Sequence, residues 1–118
     1  IGKGCQITNY VSILTHSSHN SIRLYGAQYI EMASDERALD FGPVSIGEYS
    51  YIGAHCIIMP GTKLGKGCIV SAFSYVKGEF PDFSVIRGTP AKGVGDTRTI
   101  DEAVLEKYPD LKATHYSS

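Results

Sequence analysis

The feature that most constrains this 118-residue chain is a period of six. Ile1, Ile7 and Ile13 are six apart, and after an interruption Ile46, Ile52, Ile58, Leu64, Val70 and Val76 resume the same step. Two residues before most of these stands a small or β-branched one: Cys5, Val11, Val44, Ser50, Cys56, Thr62, Cys68 and Ser74. Gly follows the aliphatic residue at Gly2, Gly47, Gly53 and Gly65. The unit is aliphatic-Gly-x-x-small-x, and self-similarity of this kind marks repeat architectures. It does not fit a helix, whose turn holds about 3.6 residues.

Physics turns the unit into a shape. Side chains two apart on a strand share a face. The small residue and the aliphatic one therefore point inward, and the residue between them points out. The rest turn a corner, for which Gly is expected to supply backbone freedom. Three short strands and three corners make one 18-residue coil, and coils stacked at about 4.8 Å form a parallel β-helix. Such a solenoid buries its core only by stacking.

The outward residues sort onto three faces: Ser45 and Lys63 on a polar one, Gln6, Tyr51 and Ile69 on a second, Ser12, Ile57 and Tyr75 on a third. Outward Ile and Tyr on two adjacent faces point to subunit contact. The first residue is already in register with no cap before it, so part of a longer chain is expected to precede it. The segment from about Thr15 to Pro43 interrupts the repeat as one long inserted loop, and "TIDEAVLEKYPDL", 99 to 111, is the one amphipathic helix, with Thr99 or Asp101 as its N-cap. The expected division is a β-helix over 1–98 and a helix with tail over 99–118.

Composition narrows function by exclusion. With 11 basic and 12 acidic residues the net charge is -1, and Lys and Arg form no run, which argues against nucleic acid or an anionic membrane as partner. No apolar stretch approaches the roughly 20 residues of a membrane span, and no secretory signal is visible. Three cysteines, Cys5, Cys56 and Cys68, occupy equivalent inward positions and read as small buried residues in a reducing compartment, so a cytoplasmic location is expected.

The block "VSIGEYSYIGAHCIIMPGTKLGKGCIVSAFSYVKGEFPDFSVIRGTPAK", residues 44 to 92, resembles the hexapeptide-repeat acyltransferases, and more narrowly their sugar and xenobiotic O-acetyltransferase branch. The resemblance implies an all-β fold, a left-handed parallel β-helix with one long inserted loop and a short C-terminal helix. Handedness rests on the resemblance, since most parallel crossovers are right-handed. It also implies acetyl-CoA as co-substrate with no metal, and a homotrimer with active sites between subunits.

Site residues follow the same resemblance. The branch carries a catalytic His near the start of the inserted loop, and here the loop opens with "THSSHN". His19, six after Ile13, is the first choice as general base; His16 is the second. Imidazole suits the task because it titrates near neutrality. Its orienting partner is open among Glu31, Asp35, Glu36, Asp40 and a backbone carbonyl. The Ala54 N–H is expected to donate to the oxyanion. Ala54 and Ala72 match positions along the pantetheine arm, Lys77 and Lys92 basic positions near the phosphates, and Thr89 lies in the "RGTPAK" motif; Asp96 stands near a place where the family often has Arg. Tyr25 and Tyr29 in the loop could stack on a sugar, and surface polysaccharide is the first guess for acceptor. Two alternatives stay open: a zinc enzyme like the gamma-class carbonic anhydrases, drawing on His16, His19 and His55, and a non-catalytic assembly module.

Overall fold

The structure is a computed structural model, and residues 1–116 are described. The first coil holds β1 (Gln6–Ile7) and β2 (Ser12–Ile13). The inserted segment holds β3 (His16–Ser17), α1 (Ser21–Tyr25), α2 (Gln28–Glu31) and β4 (Asp40–Phe41). Then come β5 (Ser45–Ile46), β6 (Tyr51–Ile52), β7 (Ile57–Ile58), β8 (Lys63–Leu64), β9 (Ile69–Val70), β10 (Tyr75–Val76) and β11 (Glu79–Phe80). A hairpin of β12 (Ser84–Gly88) and β13 (Ala91–Asp96) leads to α3 (Thr97–Lys107).

Three parallel sheets form the sides of the repeat. Face one is β5-β8-β11, face two β1-β6-β9-β12 and face three β2-β7-β10. The register stacks the residues the repeat assigns: Ser45 on Lys63, Gln6 on Tyr51 on Ile69, Ser12 on Ile57 on Tyr75. Strands visit the faces in the fixed order one, two, three, which makes a three-sided parallel solenoid; the chain as a whole, with its insertion and C-terminal helix, measures 62 by 24 by 23 Å.

The inward residues are the core. Ile46, Ile52, Ile58, Leu64, Val70, Val76 and Ile86 are buried with Cys56 and Cys68 among them. The small inward residues also join coils: Ser50 Oγ donates to Gly65 O and accepts from Cys68 N–H, both at 3.2 Å. Burial pushes the Cys68 thiol above its ordinary range.

The corner glycines depart from expectation. Gly47, Gly53 and Gly65 do not carry a positive φ; a Cβ on Gly47 would stand 2.4 Å from Gly65 C, and one on Gly53 2.6 Å from Ala72 N. They are small because the next coil's backbone presses on them. The positive φ falls two residues later, on Tyr49 (57°), His55 (60°), Phe73 (61°) and Phe83 (65°), with Gly67 (64°) at the equivalent place.

The C-terminal helix also starts earlier than expected. Its N-cap is Asp96, whose carboxylate accepts from Arg98 N–H at 2.8 Å, rather than Thr99 or Asp101. The same carboxylate meets the Arg98 guanidinium at 2.6 Å, and that hydrogen-bonded cation holds Asp96 below the usual carboxylate range. Thr97 anchors the helix to the solenoid, its Oγ1 donating to Gly67 O at 2.7 Å.

Candidate active site

The prism has three edges, and each carries something different. The edge between faces one and two holds Tyr49, Gly67 and Phe83, and the chain's own tail covers it. Tyr116 packs 5.3 Å from Tyr49 and 6.2 Å from Phe83, beside the notch that Gly67 leaves. His115, hydrogen-bonded to Asp101 at 3.0 Å, packs against Tyr116 with the rings tilted by 38°.

The edge between faces two and three holds Ala54 and Ala72 in successive coils. The Ala54 carbonyl accepts from Phe73 N–H at 3.0 Å, while its own N–H has no backbone acceptor among the described residues. Thr89 reaches the same edge, its Oγ1 donating to Phe73 O at 3.2 Å. Lys92 lies on β13, paired with Arg87. Beside this line runs an exposed ring ladder: His55 is stacked between Tyr10 and Phe73, with centroids 4.9 Å apart on both sides.

The edge between faces three and one carries the inserted segment. It is no irregular loop: β3 and β4 pair antiparallel at its root, with His16 opposite Phe41 and Ser17 opposite Asp40. That pairing brings Asp40, twenty-one residues after His19 in sequence, against the imidazole. His19 Nδ1 lies 2.7 Å from Ser17 Oγ and 3.5 Å from Asp40 Oδ2. Asn20 Nδ2 donates to Asp40 Oδ2 and to His19 Nε2, each at 3.3 Å, and Asn20 Oδ1 is held by Arg23 at 2.6 Å.

An acceptor beside Nδ1 favours the tautomer with its proton there, which leaves the Nε2 lone pair as the base. Asp40 would then stabilise the imidazolium that forms when Nε2 takes a proton. His19 opens into a cleft of about 200 Å³ whose wall includes Asp40, Phe41, Met59, Pro60 and Lys77.

The two loop histidines are separated. His16 faces another cleft, lined by Thr15, Asp35, Ala38 and Phe41, and its polar side-chain contact is Thr15 Oγ1 at 3.5 Å. Among the described residues no three His, Cys, Asp or Glu side chains gather as a metal set. Of the four acids open as orienters, Asp40 alone lies beside His19. Tyr29 is turned to Arg37, whose guanidinium covers its ring at 4.6 Å, and its hydroxyl lies 3.4 Å from Ser18 Oγ. Neither Tyr25 nor Tyr29 lines the His19 cleft.

The remaining candidates split between edges. Ala54, Ala72 and Thr89 share one; Lys77 shares the other with His19. One chain therefore does not bring Ala54 to His19. The residues that sequence reasoning missed are Ser17 and Asn20, whose roles depend on the β3–β4 pairing. The only signal for them was the hydroxyl and amide crowding around the two histidines.

The repeat that builds the solenoid is similar to that of known proteins. Residues 43–78 match the family described as bacterial transferase hexapeptide (six repeats). Among curated relatives, WbbJ of Escherichia coli strain K12, named for O-acetyl transfer in lipopolysaccharide biosynthesis, is 33% identical over 92 residues, covering 78% of this chain and 47% of its own. The chain thus spans about half of that relative, and 24% of an acetyltransferase-named protein of Mycobacterium tuberculosis that it also matches. Among solved structures, a galactoside acetyltransferase in complex with coenzyme A aligns at TM-score 0.57 and 23% identity, covering 83% of this chain and 48% of that one. AntD, an N-acyltransferase from Bacillus cereus in complex with dTDP and 3-hydroxybutyryl-CoA, aligns at TM-score 0.63 and 21% identity, covering 92% and 57%. At these identities the likeness is one of fold. No described helix is long and apolar enough to cross a membrane.

Proposed function

We propose that this chain forms the β-helical part of an acetyltransferase that moves an acetyl group from acetyl-CoA to a hydroxyl of a sugar or polysaccharide unit. The observation that carries the reading is His19: it lines a cleft, with Nδ1 against Ser17 and Asp40 and Nε2 met, among the described residues, only by a long contact from Asn20. Kinship with an O-acetyl transferase of lipopolysaccharide biosynthesis supports the acceptor class, and a fold-alike that binds coenzyme A supports the donor. The fold likeness also supports a left-handed winding.

The chemistry needs no acyl-enzyme. His19 Nε2 takes the proton of the acceptor hydroxyl as its oxygen attacks the thioester carbonyl. The tetrahedral intermediate collapses with cleavage of the C–S bond. The imidazolium returns its proton to the departing thiolate, leaving an acetyl ester and free CoA thiol. Asn20 caps Nε2 at 3.3 Å, a long contact that an incoming hydroxyl can replace.

Two edges hold complementary halves of this site, and the third is covered by the tail. A head-to-tail contact between copies joins the Ala54 edge of one to the His19 edge of the next, and three such contacts close a ring. The Ala54 N–H then serves as oxyanion donor. Ala54, Ala72 and Thr89 form the track for the pantetheine arm, and Lys92 holds the phosphates. Tyr25 and Tyr29, on the outer part of the insertion, are left for the more distant units of a polymeric acceptor.

Screening sugars for acceptor-dependent release of CoA thiol by the full protein tests the reading. Turnover with a sugar hydroxyl supports it. Turnover restricted to amines would overturn the O-transfer assignment, and stoichiometric zinc with no CoA binding would favour the metal alternative.

A further inference from the structure

Lys77 stands at the His19 cleft because of how its corner is built. In the coil below, the corner between faces three and one takes four residues, Met59 to Thr62; at Lys77 it takes two, Lys77 and Gly78, with Gly78 at a φ of 104°. The short corner sets an exposed ammonium beside the cleft. Lys77 forms no ion pair among the described residues, whereas Lys63, on the adjoining face, pairs with Glu79. The other fixed charge in the cleft, Asp40, is engaged by Asn20 and His19. Leu39, Phe41, Met59 and Pro60 complete the wall, so Lys77 is its one fixed cation among the described residues.

The thioester and the phosphates of acetyl-CoA lie at opposite ends of the pantetheine arm. A cation at the base is therefore placed for a charge on the acceptor. Resting on the acetyltransferase reading above, we infer that Lys77 selects an acidic acceptor: a sugar whose carboxylate or phosphate pairs with the ammonium while a hydroxyl reaches His19 Nε2. Lys suits either anion, as a compact point charge with three donors.

The test compares glucose, glucuronic acid and glucose 1-phosphate as probes with the full protein. Expected is a kcat/KM for the acidic sugars about tenfold above glucose, reduced to parity in Lys77→Met and inverted in Lys77→Glu. The preferred acid, uronate or phosphate, names the source of the charge. Equal kcat/KM for all three sugars in the wild type overturns the inference. So does an equal loss on all three in Lys77→Met, which would make Lys77 part of the reaction rather than of acceptor choice. Binding of the same sugars by saturation-transfer NMR separates the two claims. Acid-selective, Lys77-dependent binding without transfer sinks the acetyltransferase reading and leaves the Lys77 site standing; transfer without acid selection does the reverse.

Discussion

His19 shows how much a single pairing can decide. Four acids lie between Glu31 and Asp40, and nothing in their spacing ranks them. The backbone register of β3 on β4 ranks them, since Ser17 opposite Asp40 puts that carboxylate against the imidazole. Asp40→Asn keeps the shape and removes the charge, so it is expected to lower kcat by about tenfold or more while CoA affinity, measured by calorimetry, stays within about twofold. Cys68 lives at the same scale. Its thiol is raised by burial, so the folded state favours the protonated form. A folded value above the unfolded one means stability is fully present below the unfolded value and lost as pH rises through the folded value. Chemical denaturation followed from neutral to alkaline pH should show that loss in the wild type and less of it in Cys68→Ser. That the cysteines are inward was legible from their place in the repeat. The placement of Asp40 beside His19 was not, because a two-residue antiparallel pairing leaves no periodic trace.

At the scale of elements, the strands were legible almost residue by residue, since inward pairs two apart repeat without gap from Val44 to Val76. The corners were not. A Gly at a fixed place in a repeat signals either φ freedom or close approach, and only the stacked coils distinguish them. Gly47→Ala tests the distinction. Its Cβ would meet the backbone of Gly65, so a loss of about 1–3 kcal/mol in denaturant unfolding is expected. A change near zero would return the glycine to a role in flexibility. The helix N-cap was misplaced for a related reason: Asp96 belongs at once to the end of β13 and the start of α3. Asp96→Ala should lower Tm, with the strand pairing retained.

At the scale of the whole chain, the candidate residues fall on separate edges. One edge carries the His19 imidazole at a cleft, another the small residues Ala54 and Ala72, and the solenoid holds them apart. The distribution of candidate residues over edges could not be read from the repeat, because the repeat treats the three corners alike. The insertion, the short corner at Lys77 and the returning tail break that equivalence. Sedimentation of the full protein is expected to give a trimer, and mixing His19→Ala subunits with Ala54→Pro subunits should restore part of the activity that each lacks alone. The most direct measurement of the central claim is the rate of CoA thiol release with a sugar acceptor, compared among wild type, His19→Ala and His16→Ala at equal occupancy by acetyl-CoA. The account predicts a loss of about 10²–10⁴-fold for His19→Ala and a change within about threefold for His16→Ala. A full loss in His16→Ala with His19→Ala active would contradict it.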